Sequence, residues 1–335
     1  TLLSDPDLPR LAALAQEARF ARHPHRQVTY IIDTNPNYTN ICTVGCRFCA
    51  FHCSPESDEG YTLSVDQVAA RAAEAAAAGA TTMLLQGGIN PDLPLEYFVS
   101  LVRGVKQAAP GITPHFFSPP EIHALAQRSG LTVREVLDHL FAAGQRTLPG
   151  GGAEILSTRV RQLVSPQKCS PDQWLEVQRQ AHLAGFRSTA TMMFGHLETD
   201  GEIIGHLDRI RALQDETGGF TAFIPWSCKP GNTDLQNVIP RTEAALRYLR
   251  LLAVARLYLD NVPHIQASWF SEGKAIGTLA LHFGADDFGG VLLEENVHRS
   301  ANHVNTSSEQ EVRLLIREAG FEPLQRDTLY QPVAS

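Results

Sequence analysis

Ser188-Thr189-Ala190-Thr191-Met192-Met193-Phe194, then Thr199-Asp200-Gly201-Glu202, then Gly218 and Phe220-Thr221-Ala222-Phe223-Ile224, spell one complete strand–helix–strand unit. The first run is rich in β-branched and apolar residues. The second places a threonine hydroxyl and an acid three positions apart, the capping box that satisfies orphan N–H groups at a helix start. Gly218 ends the helix where a left-handed residue is needed, and the next apolar run begins two residues later. The same pattern recurs along the chain. Capping boxes stand at Ser64-Val65-Asp66-Gln67, Thr132-Val133-Arg134-Glu135 and Ser170-Pro171-Asp172-Gln173, and glycines at 79, 144 and 185 mark helix ends. Further strand candidates are Asn37–Ile41, Thr81–Gln86, Thr113–Phe117, Arg146–Leu148, His264–Ala267 and Ala285–Phe288. Eight strands alternating with helices predict an α/β fold with parallel strands, closed as a (β/α)8 TIM-type barrel, complete or split, in preference to an open doubly wound sheet. The expected division is an N-terminal helical extension over 1–27 with a helix near Leu8–Phe20, a barrel over 28–291, and a C-terminal extension over 292–335 with a helix at Ser308–Ala319.

A chain of 335 residues with 43% hydrophobic content can fill such a core and lies far from the composition of disordered segments. Its formal charge of −8 excludes a general binder of nucleic-acid backbones, which needs a basic face. No signal peptide and no apolar run long enough to span a bilayer is seen, so a cytoplasmic location without membrane partners is expected. Thr1 is not an initiator Met, which suggests that a few preceding residues are missing.

Of the six cysteines, three crowd into Cys42-Thr43-Val44-Gly45-Cys46-Arg47-Phe48-Cys49. In a barrel, a loop at a strand's carboxyl end lies on the active face. Three thiolates on one loop suit a [4Fe-4S] cluster with one iron left open to a ligand. Two alternatives stand beside this reading. Cys53 could complete a closed four-thiolate site for zinc or an electron-transfer cluster, or the thiols could be ordinary buried residues. Cys169 and Cys228 are isolated and read as small packing residues.

CTVGCRFC resembles the CxxxCxΦC motif of the radical S-adenosylmethionine (SAM) superfamily, with Phe48 as the aromatic before the last cysteine. The resemblance extends through Asn35–Ile41, Phe117–Ile122, Pro149–Leu156, Thr189–His196, Asp215–Trp226 and Asp287–Gly290. Over about Val28–Tyr330 the chain is similar to the cyclic dehypoxanthinyl futalosine synthase family of menaquinone biosynthesis. That resemblance implies a [4Fe-4S] cluster on Cys42, Cys46 and Cys49, SAM as second cofactor, and a flavodoxin- or ferredoxin-type electron donor. It implies release of methionine and 5′-deoxyadenosine, hydrogen abstraction from the ribose of dehypoxanthine futalosine, and carbon–carbon closure onto its benzoate ring. The nearest related activity is aminofutalosine synthase, in which the deoxyadenosyl radical adds to the substrate.

Residue by residue, the resemblance sets Phe48, Gln86, Gly87, Gly88, Glu154, Lys168, Gly195 and Glu198 around SAM. Ile89 stands where the superfamily's Gly-Gly-Glu element carries its acid, which shifts the expected acidic contact to Glu154. Ser118, His196, Glu294 and His298 are candidate catalytic groups. Trp226, Gln266, Ser268 and Arg299 are candidate substrate contacts, Arg299 because a guanidinium suits a carboxylate and Trp226 because it can stack on a ring.

Overall fold

The computed structural model describes residues 2–4, 7–239 and 244–333. Among these, ten strands alternate with helices: β1 Gln27–Ile31, β2 Asp33–Thr34, β3 Thr82–Leu85, β4 Thr113–Phe116, β5 Thr147–Leu148, β6 Arg187–Phe194, β7 Phe220–Ser227, β8 His264–Ile265, β9 Asp287–Gly290 and β10 Glu322–Gln325. The first is a run the sequence reading passed over. Val28-Thr29-Tyr30-Ile31-Ile32 carries the β-branched and aromatic composition of a strand, whereas the expected strand at 37–41 is a loop joined to its neighbours by isolated bridges at Thr39 and Ile41. Pro36 has no N–H to offer a ladder, and Asn37 sits at φ 52°, outside the extended region.

All pairing between the named strands is parallel, and β2 through β8 run side by side in chain order. β9 pairs with β1 on the far side of the ring. The remaining gap is bridged where Gln266 pairs with Asp287 and the Ala267 N–H donates to the Asp287 carbonyl at 2.8 Å. β1 and β2 are two halves of one barrel strand, so the eight positions close into the expected TIM-type ring. β10 is the addition. It pairs with β1 from Gln27↔Glu322 to Tyr30↔Gln325, below the point where β2 pairs with β3, and wedges into the amino-terminal rim of the barrel.

The helices follow the capping chemistry. Side-chain and backbone bonds complete all four expected boxes, starting helices at Val65, Val133, Pro171 and Asp200. A fifth box, Ser118 with Glu121, starts the helix Pro119–Ser129. Gly79, Gly144, Gly185 and Gly218 all adopt positive φ at helix ends. Helix Leu95–Ala108 shows how each helix seals the ring: Phe98, Val99, Leu101, Val102 and Val105 are buried on one stripe against the sheet, each contributing about 1.5–3 kcal/mol relative to exposure. No described helix is long and apolar enough to cross a membrane.

The chain beyond β10 plugs the barrel floor. Arg326 donates from Nε to Asp287 Oδ2 at 2.5 Å and from Nη2 to Oδ1 at 3.1 Å, and Thr29 Oγ1 donates to the same carboxylate at 2.6 Å. Thr328 bonds Thr82, and Tyr330 stacks on His264 with centroids 3.7 Å apart. Because Arg326 and Asp287 are both buried, removing one leaves the other charge stranded. Arg326→Met is expected to lower stability by about 3–5 kcal/mol, seen as a depressed midpoint in thermal unfolding. Arg134→Met, which removes an exposed helix-surface pair with Asp138, should cost less than about 1 kcal/mol.

Candidate active site

The cysteine loop lies above the carboxyl ends of β2 and β3 and is pinned by backbone bonds rather than by secondary structure. Thr43 N–H donates to the Ile89 carbonyl, Arg47 N–H to that of Val164, Cys42 N–H to that of Cys53, and Cys53 N–H to that of Asn40, at 2.9–3.1 Å. Gly45, at φ 58°, turns the chain between the first two cysteines. Beneath the loop the buried Glu121 carboxylate accepts bonds from Tyr38 Oη at 2.7 Å, Gly87 N–H at 3.1 Å, and both the N–H and hydroxyl of Ser118. One side chain therefore joins the loop, the end of β3 and a helix start. Gly88 allows the close approach: a Cβ there would overlap the Ile41 carbonyl and lie 2.8 Å from Cys42 Cβ. Gly87 and Gly88 thus first serve to let the strand end meet the cysteine loop.

The thiols occupy unequal environments. Burial pushes the Cys46 thiol up to about 12, with the Lys168 ammonium opposing it. At Cys49 burial is outweighed by hydrogen bonds from the His52 ring and from the backbone of Phe51 and His52, which draw its pKa below the ordinary thiol value. A buried thiolate at Cys46 needs a strongly cationic partner, which a metal cluster supplies. No three of these cysteines bring their sulfurs within 4.8 Å of one another, whereas zinc bonds of about 2.3 Å hold thiolates under 4 Å apart. Cys53 hydrogen-bonds Ser57 and interacts with both Glu59 and Cys42. The donor set fits three ligands spread around a multi-iron cluster.

Beside Cys46 stands a buried ion cluster. Lys168 Nζ donates to Glu154 Oε1 and Arg161 Nη1 to Glu154 Oε2, both at 2.8 Å, while the second guanidinium nitrogen of Arg161 donates to the Gly152 and Ala153 carbonyls. Lys168 Nζ also lies 5.3 Å from the centroid of the Phe48 ring. Only 10% of the Lys168 side chain is exposed, so it is not a solvated surface residue. Glu154 sits at φ 45°, and its carbonyl accepts from Met193 N–H, so the strained backbone is fixed from β6. Despite the burial that opposes it, the two cations hold the Glu154 carboxyl below its ordinary range. One carboxylate against two cations leaves the cluster with an excess positive charge.

From here a cavity runs down inside the ring. Gln86 and Glu154 border its upper end; Ile224, Trp226, Phe270 and His298 wall it; Thr82, Arg326, Thr328 and Tyr330 form its floor. Of the candidate residues, Gln86, Glu154, Trp226, Gln266 and His298 line this space. His298 is buried, its ring 5.5 Å from Trp226, and its Nδ1 has no partner. Burial holds its pKa down near 3, so the ring is a neutral base at physiological pH.

Other candidates are engaged elsewhere. Ser118 is the capping residue bonded to Glu121. His196 has both ring nitrogens committed, Nε2 to the Met193 carbonyl and Nδ1 to the Leu197 N–H, and Glu198 accepts the N–H groups of Gly195 and His196 within that same turn. Ser268 Oγ donates to the Pro225 carbonyl. Glu294 faces outward to Arg71 at 2.7 Å, and its neighbour Glu295 lines the cavity instead. Arg299 is exposed and outside the cavity, because the short helix Val297–Ser300 turns His298 inward and Arg299 to solvent.

Among the cavity residues that were not expected are Asp33, His115 and Glu295. Asp33, which burial raises to about 6, accepts from the Leu292 N–H. His115 is buried with an unpartnered Nδ1, and Glu295 is raised by burial. An acid inside the apolar run Ile31-Ile32-Asp33 was the available signal for the first; nothing in the local sequence separates Glu295 from Glu294.

Residues 36–210 match the radical SAM superfamily, and residues 217–335 match the CofH/MqnC C-terminal region. Cyclic dehypoxanthine futalosine synthase of Streptomyces coelicolor is 42% identical over 98% of this chain and 83% of its own length. The 5-amino-6-(D-ribitylamino)uracil–L-tyrosine 4-hydroxyphenyl transferase of Methanopyrus kandleri is 41% identical over 95% and 88%. Aminodeoxyfutalosine synthase of Thermus thermophilus is 39% identical over 99% and 90%. In fold, the crystal structure of methylornithine synthase superposes with a TM-score of 0.75 at 20% identity, covering 96% of this chain and 92% of that one. The chain belongs to the radical SAM enzymes, in the family that includes cyclic dehypoxanthine futalosine synthase.

Proposed function

We propose that this enzyme cyclises dehypoxanthine futalosine, closing a bond between its ribose and its benzoate ring, in menaquinone biosynthesis. The observation that carries the reading is the interior cavity whose upper end shares Gln86 and Glu154 with the cysteine-loop side and whose walls are Ile224, Trp226, Phe270 and His298. An aromatic acid joined to a sugar can enter with its sugar toward the cysteines and its ring between Trp226 and Phe270. Likeness to two cyclic dehypoxanthine futalosine synthases, at 42% and 40% identity over nearly the whole chain, supports the same substrate.

When bound, the cluster and SAM supply a one-electron cleavage that yields a primary carbon radical; the hard chemistry belongs to them. Cys42, Cys46 and Cys49 hold the cluster. Lys168 and Arg161 receive the carboxylate of the methionine moiety, for which the excess positive charge is suited, and Glu154 receives its ammonium. Gln86 orients what lies between the cofactor and the cavity. The floor of Thr82, Thr328 and Tyr330 excludes water from below, so a radical formed inside has few partners besides the substrate. His298 Nδ1 and the carboxylates of Asp33 and Glu295 are the groups present to take the ring proton once the new bond forms, and the one electron lost with it would return to the oxidised cluster held by the three cysteines.

The related reading is the addition reaction of aminodeoxyfutalosine synthase, favoured by the 39% identity to the Thermus enzyme. Oxygen-free turnover of the reconstituted enzyme with dehypoxanthine futalosine separates the two by mass spectrometry. Cyclisation releases methionine and 5′-deoxyadenosine alongside a product two hydrogens lighter than the substrate; a product carrying the adenosyl group refutes the cyclase assignment. Replacing Cys42, Cys46 or Cys49 by alanine should abolish 5′-deoxyadenosine formation, whereas Cys53→Ala should leave it largely intact. Lys168→Met should retain iron yet raise KM for SAM about thirtyfold, the equivalent of ~2 kcal/mol for a truncated buried charge pair.

A further inference from the structure

At the opposite, amino-terminal rim of the barrel lies a second group of ligand-type side chains. His23 follows the N-terminal helix Leu8–Arg22, His264 opens β8, and Asp286 immediately precedes β9. Their donor atoms all lie within 4.8 Å of one another, and this is the one such trio among the described residues. We propose that His23, His264 and Asp286 form a mononuclear site for a divalent cation of the zinc class, stapling the N-terminal helix to the barrel floor.

The geometry is close to what that ion requires. Tetrahedral bonds of about 2.0–2.1 Å separate nitrogen and oxygen ligands by about 3.3 Å. His23 Nε2 lies 3.3 Å from Asp286 Oδ2. His264 Nδ1 is nearer the same oxygen, at 2.5 Å, and must open by about 0.8 Å to admit the ion. The two rings are already nearly parallel, 21° apart with centroids at 4.9 Å.

The surroundings fix the ligands in the way metal sites are commonly supported. Asp286 Oδ1 is occupied by the Arg256 guanidinium and by the Ile265 N–H at 2.9 Å, which leaves Oδ2 as the oxygen facing the histidines. Tyr330 lies flat on His264 and holds that ring in place. An open pocket lined by Arg22, His25, Gln27 and Thr29 adjoins the trio and provides room for a water as fourth ligand. Two imidazoles and a carboxylate, with no thiolate, select zinc, cobalt, nickel or ferrous iron over cuprous copper. The Arg256 charge opposes the ion and limits its affinity. The Pro263 carbonyl, 2.9 Å from His23 Nε2, competes for that nitrogen and must release it.

The site is remote from the cysteines, so its occupancy and the radical chemistry can be read separately. The test uses cluster-loaded enzyme stripped of loosely held ions with a mild chelator and then titrated with zinc under anaerobic conditions. One equivalent of zinc beyond the cluster iron is expected, together with a higher thermal midpoint, and cobalt in its place should give the intense visible bands of a tetrahedral ion. His23→Gln, at a half-exposed position outside the strands, should weaken zinc at least tenfold, and His23→Gln/His264→Gln should abolish binding, with iron content and SAM cleavage retained in both. Wild-type enzyme that takes up no zinc beyond the cluster iron, or a double variant that still binds it, overturns the proposal. Loss of turnover with zinc still bound would count against the cyclase reading alone.

Discussion

A ring of parallel strands has to be closed by a contact between its first and last members, and here that contact converges on Asp287. Its backbone pairs with Thr29 of β1 and with Gln266 beyond β8, while its carboxylate gathers Thr29 and Arg326. A buried carboxylate is costly without a matched cation, and Arg326 comes from the last stretch of the chain. The same bond therefore completes the wall, seats the plug and shapes the cavity floor. Every strand's carboxyl end then lies on the other rim, which is why loops distant in sequence meet at one cysteine cluster.

That upper rim is organised by two buried carboxylates with different partners. Glu121 is surrounded by neutral donors from three segments and acts as a mechanical joint under the cysteine loop. Glu154 is held between two cations and carries the electrostatic character of the site. Both are acids in apolar surroundings, yet one is raised and the other lowered from its ordinary pKa. The charge of the hydrogen-bond donors decides the difference.

Much of the ring was legible because its signals are local. Capping boxes at Ser64, Thr132, Ser170 and Thr199 fix helix starts through bonds within four residues, and β3 to β8 followed from short apolar runs between them. The first strand was misplaced onto 37–41 because that segment has strand-like residues, and only the φ of Asn37 and the missing N–H of Pro36 break the ladder. The cysteine spacing is a local signal of the same kind, and it pointed to the radical SAM superfamily that residues 36–210 match. The cavity lining was legible only in part: Gln86, Glu154, Trp226, Gln266 and His298 were expected and line it, but Glu295 rather than Glu294 faces inward, and the four-residue helix Val297–Ser300 turns Arg299 out. His196 and Ser268 had the right chemistry at strand ends, but their own loops consume it. Asp33 and His115 belong to the cavity because strands far apart in the chain curl around it.

The plug carries a consequence for biosynthesis. Glu322 pairs with Gln27, and Thr328 closes against Thr82, so a nascent chain emerging from the ribosome exposes an unfilled amino-terminal rim until residues 322–330 are translated. The hydrophobic interior must wait, partly assembled, for a segment made after every strand of the ring. Until that segment docks, the cavity has no floor, so the space that faces the cysteine loop is open to water from below.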